Sequence, residues 1–127
     1  MTMKRLSDRF LQVGVLFALC GMALGVWMGK TGDFVLSPVH AHINLLGWVS
    51  MLLYGLFYRA IPSAAEGTLP VVHFWLSLVS LMAMIPLLSM FLLGHAAYDM
   101  PLGIVSMAQW LSMFLFSLIV FRATWSG

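Results

Sequence analysis

His40-Ala41-His42 places two imidazoles two positions apart at the start of a long apolar run. A neutral imidazole offers one nitrogen to a metal while its other nitrogen is held by a hydrogen bond. Such side chains are costly in lipid and are rarely placed there without a partner. On one α-helix the two rings leave the axis about 200° apart. One helix then presents a nitrogen ligand to each of two neighbouring sites. His95 is expected at the same end of the molecule, and His73 alone at the opposite end. Three imidazoles, His40, His42 and His95, form a metal set suited to copper or zinc. Two opposed imidazoles suit a six-coordinate haem.

Below His40, one helical face reads Asn44, Gly47, Met51, Tyr54 and Gly55. Gly47 and Gly55 leave bare backbone against which a flat macrocycle could lie. Tyr54, Tyr58, Trp48 and Trp75 could wall that pocket. The cofactor-binding residues expected on this pattern are His40, His42, Gly47 and Tyr54. The same aromatics also suit core packing and interface anchoring, and histidines at a helix end can be wetted residues of the interface.

Membrane helices must position these groups. Of the 127 residues, 62% are hydrophobic and 8% charged, with a mean hydropathy of +1.02. Soluble domains carry roughly a quarter of charged residues, so this is an integral membrane protein. Four apolar stretches, residues 10–28, 39–60, 71–93 and 102–121, approach or exceed the roughly 20 helical residues that a bilayer requires. The first is too long for a signal-peptide core and no Ala-x-Ala site follows it, so it is read as a helix. The connections are short and punctuated by Gly, Pro, Asp and Ser, leaving room for one four-helix transmembrane domain over residues 1–127. The fold class expected is an all-α bundle of four transmembrane helices.

Lys4, Arg5, Arg9, Arg59 and Arg122 fall on one side, and Lys30 on the other. Positive loops stay inside. Both termini are therefore expected in the cytoplasm (N-in, C-in) of a bacterial inner membrane. His40, His42 and His95 then lie toward the outer face. The net charge of +2 comes from few groups and gives no nucleic-acid signal. Cys20 is the one cysteine, which excludes an intrachain disulfide and a Cys-based metal pattern; it reads as a small packing residue. Gly21-x-x-x-Gly25 allows close helix approach, either within the bundle or in a dimer. Pro86 is expected to kink the third helix. The eleven Met residues, such as Met82, Met84 and Met113, read as packing residues.

Residues 40–62 resemble the tenth helix of subunit I of the haem–copper oxidases, the family of cytochrome oxidases and nitric oxide reductases. The resemblance rests on His40-x-His42, then Gly55, then Phe57-Tyr58 ahead of Pro62. In that family the first histidine binds the high-spin haem and the second the low-spin haem, which implies those roles for His40 and His42. The His-x-Asn form on the family's second helix is similar to His42-Ile43-Asn44. The seventh helix of the family ends in a copper-binding His-His pair; here His95 stands with Ala96 in place of the second. The sixth-helix histidine has no separate counterpart.

The family's twelve helices have pseudo-threefold symmetry, with ligands on the second helix of each four-helix unit. This chain resembles one such unit. The resemblance implies a homo-oligomer, a homotrimer in which His40 of one copy and His42 of the next share one haem, consistent with closed symmetry. Haem b is the expected cofactor, with copper as a second possibility. The expected function is electron transfer or binding of oxygen or nitric oxide, with lipid and a redox partner as associates. If the chain is an enzyme, it is an oxidoreductase. The missing copper ligands argue against full oxidase activity, and spans without Asp, Glu or Lys argue against proton pumping. The alternatives are a non-haem copper or zinc binder or transporter, and a cofactor-free structural or assembly subunit.

Overall fold

The structure, a computed structural model, describes residues 3–125, with side chains from Arg5 onward. The Lys4 side chain, one of the positive charges counted above, lies outside the described residues. The chain is almost wholly helical. Four helices make it up: α1 (Met3–Thr31), α2 (Ser37–Ala60), α3 (Leu69–Leu92) and α4 (Asp99–Thr124). Each includes a span long and apolar enough to cross a membrane. The four apolar stretches expected from the sequence fall on these helices to within a residue.

Short loops follow from the residues at the helix ends. Pro38 and Pro70 sit in the first turns of α2 and α3, where a missing N–H costs nothing. Gly32, Gly67 and Gly94 take φ of +72°, +86° and +99°, a backbone region open to glycine, and so turn the chain between helices. Pro62–Ala65 and Ala96–Tyr98 form single 3₁₀ turns. Pro86 lies within α3, which continues past it to Leu92.

Helix α2 is not a uniform α-helix. Ser37–His42 and Ser50–Ala60 are α-helical, but Ile43–Val49 between them is a π-helix. Ser50 closes it: its amide and its hydroxyl both donate to the Leu45 carbonyl, the hydroxyl at 2.7 Å. Wide π turns of this kind recur at functional sites, and this one begins at the residue after His42.

Helices α1 and α2 pack along glycines. A Cβ at Gly14 would stand 3.3 Å from Met51 Cβ, one at Gly21 2.5 Å from Asn44 Oδ1, and one at Gly25 2.8 Å from His40 Cε1. Gly21-x-x-x-Gly25 therefore serves packing within the bundle. The Ser7 hydroxyl donates to the Gly55 carbonyl at 2.9 Å, and Asp8 pairs with Arg59, at the end remote from His40. Helix α4 lies along α3 and away from α1.

Two core clusters result. One joins Leu6, Phe10, Met51, Tyr54, Tyr58 and Ile119 near the Arg59 end; the other joins Phe17, Val39, Ile43 and Leu81 toward the His40 end. The outward surface is apolar as well, including Leu19 and Val26 of α1, Leu45 and Leu53 of α2, and Met107 and Trp110 of α4. A helix apolar on all sides belongs in lipid or in a larger core.

Candidate functional site

The His40 end is built by the first turns of α2 against the second half of α1. His40 is half-buried, and its Nδ1 lies 2.7 Å from the Gly21 carbonyl. A carbonyl only accepts, so Nδ1 carries the proton and Nε2 keeps its lone pair. Asn44 Nδ2 donates to the His40 carbonyl at 3.0 Å and stands 3.3 Å from both ring nitrogens. The bare Gly25 on α1 gives the ring its place. His40 thus lies between two helices, with an amide against it.

His42 is held by the same device in a different setting. Its Nδ1 lies 2.6 Å from the Pro38 carbonyl, one turn back on its own helix. Nε2 again keeps its lone pair, and the Pro38 bond is the one hydrogen bond of this side chain among the described residues. The ring is half-exposed. Both imidazoles are therefore fixed in the tautomer that a metal ligand requires, by the backbone contact that orients most ligating histidines.

His95 stands apart. It is exposed in the loop after α3, its backbone N–H donates to the Met90 carbonyl at 3.1 Å, and its ring lies 6.3 Å from that of Tyr98. Among the described residues no three His, Cys, Asp or Glu side chains come close enough to hold a metal ion. His40, His42 and His95, the set expected for copper or zinc, are therefore not gathered within one chain. His40 is turned into α1 and His42 leaves the helix on nearly the opposite side, so one chain does not bring them together.

The interior face below His40 packs against α1. A Cβ at Gly47 would meet Phe17 at 2.6 Å, and one at Gly55 would meet Leu11 at 2.8 Å. The bare backbone at these glycines receives side chains of α1. Tyr54 is buried too, with its ring 4.5 Å from those of His73 and Phe116 and its hydroxyl 3.9 Å from Met113 Sδ. Tyr54 and Tyr58 serve the core; Trp75 faces outward, half-exposed. Cys20 is exposed and lines an apolar groove of about 260 Å³ between α1 and α3 with Phe17, Leu78 and Met82. Met82 and Met113 likewise face outward, while Met84 is buried.

His73, expected alone at the far end, is fully enclosed. Its exposure is 0%. Nδ1 lies 2.9 Å from Tyr58 Oη, whereas Nε2 has no partner. Phe116 stacks on it at 5.1 Å, with Phe10 and Tyr54 closing the box. Either tautomer leaves Nε2 unmatched, as a donor without acceptor or the reverse. From it a polar seam continues on the same face of α3: Ser77 bonds Ser112, and Ser80 Oγ lies 2.6 Å from Gln109 Oε1. The spacing of His73, Ser77 and Ser80 carries this seam in the sequence, where Gln109 and the serines of the spans suit interhelical hydrogen bonds.

The class defined by these features is an all-helical protein with four helices able to span a membrane and two oriented imidazoles at one end. No protein-family model matches this chain, and no curated protein or solved structure matches it.

Proposed function

We propose that this chain is a membrane haem-b protein whose iron is held by imidazole from the His40-Ala41-His42 step, for electron transfer or binding of a diatomic gas. One observation carries the reading: both rings have Nδ1 tied to a backbone carbonyl, at 2.7 and 2.6 Å, which leaves each Nε2 lone pair available to a metal. The donor set fits haem better than a bare ion, because haem needs only one or two axial nitrogens from protein. A copper or zinc site needs three or four donors, and the described residues bring no such group together.

Haem iron, if bound by these histidines, would supply one-electron chemistry or binding of a diatomic gas. The chain's own residues set the conditions. Pro38 and Gly21 fix the ring tautomers, and the apolar surroundings limit water. The clustering of Arg5, Arg9, Arg59 and Arg122 at one end, with Lys30 at the other, supports an orientation with the histidines outward. The partial likeness of residues 40–62 to haem–copper oxidase subunit I points the same way.

The test is the absorption spectrum of protein purified in detergent and supplied with haem b. The wild type is expected to show a sharp Soret band, and the double variant His40→Ala/His42→Ala, with unchanged helicity by circular dichroism, to lack it. A wild type that takes up no haem, or a double variant that keeps the band, overturns the reading.

A further inference from the structure

We propose that the apolar groove between α1 and α3 seats one acyl chain of an anionic phospholipid whose phosphate pairs with Arg9. The proposal does not depend on haem.

The groove is built for hydrocarbon. Val13, Leu16, Phe17 and Cys20 of α1 line it with Leu78 and Met82 of α3. None of these carries a charge or an amide, so a polar group finds no partner inside. The α1 residues recur at i, i+3, i+4 and i+7, one helical face over two turns, about 10 Å of length. They sit in the middle of Met3–Thr31, and Leu78 and Met82 sit in the middle of Leu69–Leu92. Both helices are long and apolar enough to span a membrane, so their middles lie at the depth of acyl chains.

The same face of α1 turns basic one turn before Val13, at Arg9. At 100° per residue, Arg9 leaves the helix within about 30° of the middle of the four lining positions. Its side chain is exposed, and among the described residues its one hydrogen bond goes to Gln12 Oε1, at 3.5 Å. Asp8, the neighbouring acid, is held by Arg59. A guanidinium without a carboxylate partner suits a phosphate, which it meets with two parallel N–H groups. Across the groove, Trp75 precedes Leu78 by three positions on α3. It is half-exposed, and its indole N–H has no hydrogen-bond partner among the described residues. The rings of Phe10 and Phe74 meet at 4.9 Å, which places Arg9 and Trp75 within one turn of each other in depth. An indole at the level of the headgroups is a membrane-interface anchor.

Charge favours a lipid over a second copy of the chain. Two copies packed through this groove about an axis along the membrane normal would bring Arg9 against Arg9 at one depth, with Asp8 already held by Arg59. Like charges so placed repel, whereas a phosphate attracts.

The experiment is native mass spectrometry of the full chain in detergent, with phosphatidylglycerol or phosphatidylcholine of the same acyl chains added. Cys20, the one cysteine, reports the location through its rate of reaction with a small methanethiosulfonate. The wild type is expected to retain one phosphatidylglycerol per chain in preference to phosphatidylcholine, and its Cys20 to react more slowly when phosphatidylglycerol is present. Arg9→Gln, with unchanged helicity by circular dichroism, is expected to cut the preference about fivefold, the effect of one basic group near a headgroup. Arg122→Gln, on α4 and away from α1, is expected to keep both readouts. Equal retention of the two lipids, a preference unchanged in Arg9→Gln, or retention that leaves the Cys20 rate unchanged overturns the proposal. So does a two-chain species that shields Cys20 without lipid, which would assign the groove to a second copy.

Discussion

Tyr58 Oη and His73 Nδ1 lie 2.9 Å apart in the buried core and tie α2 to α3. The bond satisfies one nitrogen of a ring whose other nitrogen has no partner. Removing the hydroxyl strands the whole imidazole. Tyr58→Phe is expected to cost about 1–3 kcal/mol, the usual penalty for an unmatched buried polar group. His73→Phe removes the unmatched ring itself, so the double variant should cost less than the sum of the singles. Denaturant unfolding in micelles, followed by circular dichroism, measures this. The haem spectrum of both single variants should stay that of the wild type.

Glycine spacing on α1 makes a graded prediction. Gly21→Ala and Gly25→Ala push a methyl to 2.5 Å from Asn44 Oδ1 and 2.8 Å from His40 Cε1, and should each cost about 1–3 kcal/mol, as overpacking does. Gly29 faces open space. Gly29→Ala should be neutral or stabilising by up to about 1 kcal/mol, from helix propensity alone. Thermal unfolding of the three variants separates the positions.

The α3–α4 seam should behave as a membrane hydrogen bond and not as a strong staple. Ser80 Oγ lies 2.6 Å from both Gln109 Oε1 and the Leu76 carbonyl, and its single proton cannot serve both. Rotating the Gln109 amide so that its NH₂ faces Ser80 lets all three groups pair. A double-mutant cycle with Ser80→Ala and Gln109→Leu is expected to give a coupling of about 0.6 kcal/mol, and at most about 1.7.

Arg59 and Asp8 close the other end of the α1–α2 pair, but both side chains are exposed, 52% and 36%. Solvent screening keeps such pairs weak. Arg59→Ala should cost less than about 1 kcal/mol, and the loss should shrink further as salt is raised. Unfolding curves at two salt concentrations check this.

The spans were legible because apolar run length alone sets them, and the loops because Gly32, Gly67 and Gly94 mark the turns. The site was legible only in its residue types. The tautomer of His42 comes from the Pro38 carbonyl one turn back, which a helix starting at Ser37 supplies. That of His40 comes from Gly21 on another helix, a contact no local pattern encodes. Gly47 misled because bare backbone says where something can approach, not what; Phe17 takes the place. Nor did any residue pattern mark the π-helix of Ile43–Val49. His73 was read as peripheral because it sits near a helix start, yet the rings of Phe10, Tyr54 and Phe116 enclose it from three helices.

The most direct measurement is the electron paramagnetic resonance spectrum of the ferric, haem-loaded protein, taken beside that of the double variant His40→Ala/His42→Ala. Ligation by the His-Ala-His step predicts a ferric haem signal in the wild type that is lost in the double variant. A wild type without a haem signal, or a signal unchanged in the double variant, contradicts it.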